Sequence, residues 1–262
     1  MQPLIFGYKP DPRTGVDEQG NPVDLIALDH DVQNFLAKAP QVATGDVDLR
    51  GYCTASNQRS LSSCAGCATT DAVEIETAIE TGEPAPELSS LFVYGLARTL
   101  NNALDQDEGT PIRSCFQVLS DFGICLESDW PYEESKVFVS PSLISQRKAT
   151  AHKIRGYYRI KTEGDDRIPD VVATLRTHHP VVFGTLINDP FRSNTGSEII
   201  DRPSGTTIGG HAMIVVGYVG GLFIIKNSWG KNWRNNGFCL MTPAYLTWGE
   251  TTDIWVPTRR FL

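Results

Sequence analysis

Apolar residues along the chain follow two different spacings. Up to about residue 150 they recur every three or four positions, which is typical of amphipathic helices. The first helical pattern begins just after Ser62 and Ser63, either of which is a suitable N-cap, and the third is closed by Gly123. The pattern therefore predicts three helices, over residues 64–78, 88–104 and 112–122.

The spacing changes near residue 152. Short runs rich in β-branched residues, bounded by Gly and Pro, now predict strands at residues 180–187, 212–218 and 222–227. Helices followed by strands indicate an α+β chain. We expect two lobes, an N-terminal helical lobe over about residues 47–150 and a C-terminal antiparallel β lobe over about residues 151–262, with an active-site cleft between them.

Residues 1–46 fit neither lobe. They are polar and interrupted by Pro and Gly, apart from the apolar Leu25–Leu28 and a short helical pattern at residues 32–38. We predict an N-terminal arm or short pro-segment over residues 1–46, followed by one main domain over residues 47–262.

Residues 209–227 predict an antiparallel hairpin, because two strand patterns flank the glycine pair at positions 220 and 221. A turn centred near Val219 gives three cross-strand pairs on one face, His211–Asn227, Met213–Ile225 and Val215–Phe223. The hairpin would thus set an imidazole beside a carboxamide.

This pairing has a chemical use. The Asn227 oxygen can accept a hydrogen bond from one ring N–H of His211 and leave the other ring nitrogen facing a nucleophile. Trp229, two residues after Asn227, would cover this hydrogen bond and exclude water from it. On the hairpin alone, a plainer interpretation stays open, in which His211 is a strand-end histidine bonded to a neighbour.

A thiol at the start of the first predicted helix supplies a candidate nucleophile. The positive end of the helix dipole lowers the pKa of a cysteine placed there, and a neighbouring imidazolium would lower it further. Cys64 lies at the start of this helix and Cys67 one turn later. Upstream, the Gln58 amide and the backbone N–H of the cysteine could stabilise a developing oxyanion.

These residues together resemble the papain-like cysteine peptidases. The resemblance runs from about residue 47 to the C-terminus and rests on VDLR (47–50), NQ (57–58), GGHA (209–212), IKNSWG (225–230) and NGF (236–238). ELSSLFVYGLAR (87–98) and GIC followed by WPY (123–132) look most similar to the bacterial branch of that family. The resemblance implies a two-lobed fold, a thioester acyl-enzyme, a triad of cysteine, His211 and Asn227, and Gln58 in the oxyanion hole. It also implies a peptide or protein substrate and no cofactor.

Two alignments to the family pattern assign different cysteines as the nucleophile. CAGCA (64–68) looks like a family signature in which the second cysteine, Cys67, is catalytic. The usual spacing from the oxyanion glutamine instead selects Cys64, six residues after Gln58, and puts Glu74 where relatives carry a glutamate. We assign Cys64 and keep Cys67 as the alternative nucleophile.

The resemblance also points to substrate contacts at Gly109, Gly210 and Trp229. Gly109 begins a segment that would offer an extended backbone edge to a substrate, or else a plain loop before a helix. Two further functions stay open, a transamidase that uses an amine acceptor and a catalytically inactive binding module. Residues 1–46 would either cover the cleft as an inhibitory segment or pack as a structural arm.

Charge and composition narrow the function classes. The formal net charge of -8 argues against a nucleic-acid or anionic-membrane surface. No apolar run approaches the roughly 20 residues of a membrane span, and no secretory signal is evident, so we expect a cytoplasmic protein. Six cysteines without an export signal favour free thiols, and no second matched pair accompanies Cys64 and Cys67, so we expect no metal site.

Overall fold

The computed structural model describes residues 7–39, 44–193 and 198–258. The α-helices in these ranges are α1 (Leu25–Leu28), α2 (Val32–Leu36), α3 (Cys64–Thr81), α4 (Ser90–Leu100), α5 (Ile112–Asp121), α6 (Leu143–Ala149), α7 (Arg167–Arg176), α8 (Asp189–Arg192) and α9 (Pro243–Leu246). The strands are β1 (Thr14–Val16), β2 (Pro22–Asp24), β3 (Val47–Asp48), β4 (Gly156–Arg159), β5 (Val181–Ile187), β6 (Ile199–Ile200), β7 (Gly209–Val219), β8 (Leu222–Lys226), β9 (Phe238–Met241) and β10 (Thr252–Thr258).

The architecture is the two-lobed α+β fold that the sequence predicts. Helices α3, α4 and α5 form the helical lobe, and the main sheet has the strand order β4-β10-β5-β7-β8-β9-β6, with β3 also paired to β7. The sheet is antiparallel except that β6 pairs with β9 in parallel. Among the described helices, none is both long and apolar enough to cross a bilayer.

Strand β7 joins the two cores because its side chains alternate between them. Ala212, Ile214 and Val216 pack into the cluster of the helical lobe, whereas Met213 and Val215 pack into the cluster of the β lobe. A strand that is buried on both faces is continuously apolar rather than alternating. The run after His211 therefore anchors that residue rigidly between the lobes.

The predicted helices form, with boundaries that differ by a few residues. Helix α3 begins at Cys64 with Ser63 as its N-cap and ends at Gly82, whose left-handed backbone (φ 73°) is a common helix stop. The Ser63 hydroxyl makes no capping bond. It contacts the Tyr132 hydroxyl at 2.6 Å instead. The backbone N–H groups at the start of the helix are therefore not capped by the Ser63 side chain, and those of Cys64 and Ala65 lower the pKa of the Cys64 thiol.

The predicted hairpin forms from β7 and β8, but its predicted register is wrong. Val215 pairs with Ile225 rather than with Phe223, because the turn lies at Gly220 and Gly221 and not at Val219. Both glycines have positive φ (57° and 84°), as a two-residue turn of this kind requires. A bulge between Val215 and Gly217 then changes the register again.

The N-terminal arm is folded over residues 7–39. It contains the β1–β2 hairpin and helices α1 and α2. Val32 and Phe35 of α2 are buried in the core of the β lobe. Helix α2 thus packs the arm against the β lobe, while the first described residues of the arm reach the boundary between the lobes.

Candidate active site

His211 and Asn227 are hydrogen-bonded. His211 lies on β7, Asn227 directly follows β8, and the distance from His211 Nε2 to Asn227 Oδ1 is 2.7 Å. Continued past the end of β8, the observed register would place Trp229 opposite His211 and Asn227 two residues away on the same face. Cross-strand diagonal neighbours lie within reach of long side chains, so the contact forms despite the incorrect predicted register.

Trp229 covers the histidine ring. The two rings stack with centroids 4.7 Å apart and an interplanar angle of 28°. The second ring nitrogen of His211, Nδ1, is buried and has no hydrogen-bond partner among the residues that the structure describes. Burial lowers the pKa of His211 to about 4, although the bond to Asn227 opposes this shift. The imidazole is therefore neutral in this state.

The structure brings Cys64 to the histidine strand. The backbone N–H of Ala212, the residue after His211, donates to Cys64 Sγ at a distance of 3.4 Å. Burial raises the pKa of the Cys64 thiol to about 11, while nearby backbone N–H groups, those of Ala212 and Gly7 first, lower it. In this state Cys64 is a thiol rather than a thiolate.

Cys67 lies among different neighbours. Its sulfur is 3.7 Å from the hydroxyls of Ser63 and Ser90, which belong to the start of α3 and of α4. Burial raises the pKa of Cys67 to about 12. All six cysteines of the chain are free thiols in the structure. Of the two candidate nucleophiles, Cys64 is the one in hydrogen-bond contact with β7.

Gln58 lies in the loop before α3 and is tied to the segment after Asn227. Its Oε1 accepts from the Ser228 hydroxyl at 2.7 Å, and its Nε2 donates to the Leu61 carbonyl at 2.9 Å. Its backbone N–H also donates to the Ser228 carbonyl at 2.8 Å. Sequence reasoning found Gln58 but missed Ser228, whose only signal is its position directly after Asn227.

A buried ion pair lies directly beside Asn227 in the sequence, and it was not predicted from the sequence. Lys226, the residue before Asn227, is only 2% exposed. Its ammonium contacts the Asp71 carboxylate of α3, and it donates to the Ser56 hydroxyl at 2.9 Å. The available signals were a lysine at the end of an apolar strand and an aspartate two helical turns after Cys64.

The first described residues of the arm pass over the thiol. The Thr110 N–H donates to the Gly7 carbonyl at 3.0 Å, and the Tyr8 N–H donates to the Gly210 carbonyl at 3.4 Å. A side chain on Gly109 would place its Cβ 1.9 Å from that Gly7 carbonyl oxygen. The two predicted substrate glycines, Gly109 and Gly210, thus line the path of the arm.

Burial sets the electrostatics of the site. Cys64 and His211 are both 0% exposed. Taking a thiolate and an imidazolium out of water is unfavourable, so burial keeps both groups neutral. In the part of the chain that the structure describes, no group of three or more His, Cys, Asp or Glu residues could hold a metal ion.

Comparison with known families decides the class. A family model described as "Papain family cysteine protease" matches residues 44–252. The chain belongs to the papain family of cysteine proteases. Membership in this family makes the protein a peptidase by class, and the matched range includes Gln58, Cys64, His211 and Asn227.

Two individual relatives show how much of the chain the similarity covers. An uncharacterized peptidase C1-like protein of Acanthamoeba polyphaga mimivirus is 31% identical over 234 residues, covering 83% of this chain and 75% of the viral protein. Bovine (Bos taurus) pro-cathepsin H is 29% identical over 194 residues, covering 71% of this chain but only 54% of the relative. The chain thus spans about half the length of that curated relative.

A solved structure matches nearly the whole chain. The crystal structure of Xylellain, a cysteine protease from Xylella fastidiosa, superposes with a TM-score of 0.79 at 26% identity. The match covers 98% of this chain and 96% of the Xylella chain. The similarity therefore extends through the arm as well as through the two lobes.

Proposed function

We propose that the protein hydrolyses peptide bonds through a thioester formed on Cys64. Two hydrogen bonds carry this proposal. One runs from the Ala212 N–H, next to His211 on β7, to Cys64 Sγ at the start of α3, and the other joins His211 to Asn227. The matching family model is described as a cysteine protease family, and Xylellain is a cysteine protease, which favours hydrolysis over the transamidase and over the inactive binding module. The Xylella structure also supports placing the chain in the bacterial branch.

The reaction has two half-steps. His211 takes the thiol proton at its free nitrogen, and the Cys64 sulfur bonds to the substrate carbonyl carbon. The Cys64 backbone N–H and the Gln58 amide stabilise the oxyanion, and His211 donates the proton to the leaving amine as the C–N bond breaks. A water molecule then gives a proton to His211 and attacks the thioester, which breaks the C–S bond and releases the acid.

We also propose that the N-terminal arm inhibits this reaction. Gly7 and Tyr8 bond to the backbone edges at Thr110 and Gly210, and Gly7 lies against the thiol. A substrate that uses the same edges cannot reach Cys64 until the arm leaves. Of the two roles considered for residues 1–46, these contacts favour the inhibitory segment, although α2 also packs on the β lobe.

Substitution of Gly7 tests the arm within the full-length chain. A Cβ on residue 7 would lie 1.7 Å from the Ser62 carbonyl oxygen, so Gly7→Ala cannot keep this position. We expect Gly7→Ala to raise turnover of an unstructured protein substrate, such as casein, by at least about tenfold. Lys9→Ala is the matched control, because the partly exposed Lys9 side chain forms a surface ion pair with Glu108. Equal activity of wild type and Gly7→Ala would reject the inhibitory role.

The nucleophile is tested in the Gly7→Ala background. Cys64→Ala should abolish turnover, whereas Cys67→Ala should keep most of it, because the Cys67 sulfur lies beside the hydroxyls of Ser63 and Ser90, and it is the Cys64 sulfur that accepts from β7. The reverse result would transfer the role to Cys67. Turnover by both variants would reject a cysteine nucleophile at this helix.

A further inference from the structure

Large apolar side chains are exposed on α6 and on the loop before it. Leu143 and Ile144, the first two residues of α6, are 77% and 69% exposed. Phe138 and Val139 in the preceding loop are at least half exposed. Single exposed apolar residues are ordinary, but four of them close together in one segment indicate an interaction surface.

Helix α6 turns its large apolar residues outward. Its buried residues are the small Ser145 and Ala149, whereas Leu143 and Ile144 face solvent. Folding alone favours the opposite orientation, because burying leucine and isoleucine removes more apolar area from water than burying serine and alanine. The packing of this chain therefore does not explain the exposed face.

Contacts on the buried side fix this orientation. The Ser145 hydroxyl donates to the Asp129 carbonyl at 3.1 Å, which ties α6 to the rest of the helical lobe. The Arg98 guanidinium of α4 donates to the Val137 carbonyl, directly before the two exposed residues of the loop. The apolar side chains thus belong to a segment that is anchored from within.

Basic residues accompany this apolar surface. Residues 135–162 include seven Lys and Arg residues, of which only Arg159 is buried, and no Asp or Glu. In the whole chain, acidic residues outnumber basic ones by 31 to 23. The net charge of -8, on which the expectation of no membrane partner rests, therefore averages over a local excess of positive charge.

The positive charge lies next to the apolar residues. Arg147 follows Leu143 by four positions and Ile144 by three, so it lies on the same face of α6. Lys153, shortly after the helix, is also exposed. The nearby carboxylate of Asp129 is paired with the Lys148 ammonium, which reduces its opposition to this positive charge.

An anionic bilayer matches both features of the segment. Side chains as exposed as Leu143 and Ile144 protrude, because few atoms of the protein surround them. Protruding side chains can insert into a fluid interface, whereas a protein partner must provide a complementary recess. Flanking Lys and Arg side chains then contact the anionic headgroups, and apolar insertion together with charge attraction supplies the two signals that stable attachment needs.

We propose that this segment attaches the protein to the surface of anionic membranes. We call the surface the α6 patch, and it consists of Phe138, Val139, Leu143, Ile144, Arg147 and Lys153. The apolar members insert among the headgroups, and the basic members pair with anionic lipids. The attachment does not depend on catalysis, so it is tested without turnover.

Vesicle flotation of the full-length wild-type protein is the first test. One set of vesicles contains phosphatidylcholine alone, and the other contains equal amounts of phosphatidylcholine and phosphatidylserine. Partition into the mixed vesicles should be at least about tenfold stronger, and added salt should weaken it. Equal partition into both sets, or no flotation with the mixed vesicles, would overturn the proposal.

Substitution of one exposed leucine tests the apolar part. Leu143→Asn should lower partition into the mixed vesicles by at least about fivefold, because the inserted apolar area is lost. Leu28→Asn is the matched control, because Leu28 is 67% exposed and is followed by Asp29 and Asp31 rather than by basic residues. Urea unfolding checks that both variants stay folded. Equal partition of the two variants would reject insertion of the α6 patch.

Substitution of one arginine tests the basic part. Arg147→Gln should lower partition into the mixed vesicles by about fivefold and leave partition into phosphatidylcholine unchanged. Arg202→Gln is the control, because Arg202 is exposed next to Asp201 and lies outside the α6 patch. An equal loss in both variants, or a loss in neither, would show that the patch does not bind anionic headgroups.

A second copy of the chain is the other occupant that the experiments distinguish. Sedimentation equilibrium without lipid compares the wild type with Leu143→Asn. A wild-type dimer that Leu143→Asn dissociates, together with no flotation on mixed vesicles, would assign the α6 patch to self-association and overturn the proposal. A wild-type monomer that floats with mixed vesicles, and loses this binding in Leu143→Asn, would support it.

Discussion

At the residue scale, the site depends on how one imidazole is held. His211 is hydrogen-bonded to Asn227 through one ring nitrogen and is covered by Trp229, while its other ring nitrogen is buried and has no hydrogen-bond partner among the described residues. These three residues could be predicted from the sequence, because they lie close together along one hairpin. Ser228 and Asp71 could not, because their roles depend on contacts with segments far away in the chain.

The first prediction concerns Asn227. In the Gly7→Ala background, Asn227→Ala should lower kcat by roughly tenfold to a hundredfold, because an orienting group only partly determines acid–base catalysis. His211→Ala should lower it much further. The measurement is kcat and its pH profile for both variants. A loss in Asn227→Ala as large as in His211→Ala would show that Asn227 does more than orient the ring.

At the element scale, helices were easier to predict than strand register. The start of α3 at Cys64 was predicted because a serine cap precedes an apolar periodic run. The β7–β8 register was not predicted correctly, because the turn lies at Gly220 and Gly221 rather than at Val219, and a bulge between Val215 and Gly217 changes the register a second time.

The second prediction concerns the buried link between α3 and β8. Lys226→Met leaves the Asp71 carboxylate buried and unpaired with its cation, so it should destabilise the protein by about 3–5 kcal/mol. The double variant Lys226→Met with Asp71→Leu should recover much of that loss. Lys148→Met, in a surface ion pair with Asp129, should change stability by less than about 1 kcal/mol. Urea unfolding measures all three, and additive losses in the double variant would contradict this account.

At the scale of the whole molecule, the arm bridges both lobes. Asp11 accepts from Arg159 Nη2 of the β lobe at 2.6 Å and from the Arg113 N–H of the helical lobe at 3.1 Å. Asp29 contacts the same two arginines, and Asp253 also faces Arg159. The sequence of the arm has no periodicity that predicts these contacts, since they come from single residues of a non-repeating segment.

The third prediction follows from the charge of this cluster, in which three carboxylates face two guanidinium groups. Burial, and next the neighbouring Asp253 carboxylate, raises the pKa of Asp11 to about 7, although Arg159 opposes the shift. A pKa raised by folding means that the folded state binds the proton more tightly. The stabilisation is therefore full below the ordinary pKa of an aspartate and is lost as pH rises to about 7.

Urea unfolding of wild type and Asp11→Asn checks this prediction. The difference between their unfolding free energies should fall by up to about 1.4 kcal/mol per pH unit between about pH 5 and 7, and level off above that range. Other titrating groups occur in both proteins and cancel in the difference. A difference that rises with pH, or does not change, would contradict the raised pKa of Asp11.

Thiol labelling tests the central claim most directly. Full-length Gly7→Ala protein is treated near pH 6 with less than one equivalent of iodoacetamide, digested, and mapped by mass spectrometry. An ordinary thiol, with a pKa near 8.5, reacts little there, whereas a thiolate paired with an imidazolium reacts fast. This account predicts that the label is found on Cys64, and that His211→Ala removes its selectivity. Selective label on Cys67, or equal slow labelling of all six cysteines, would contradict it.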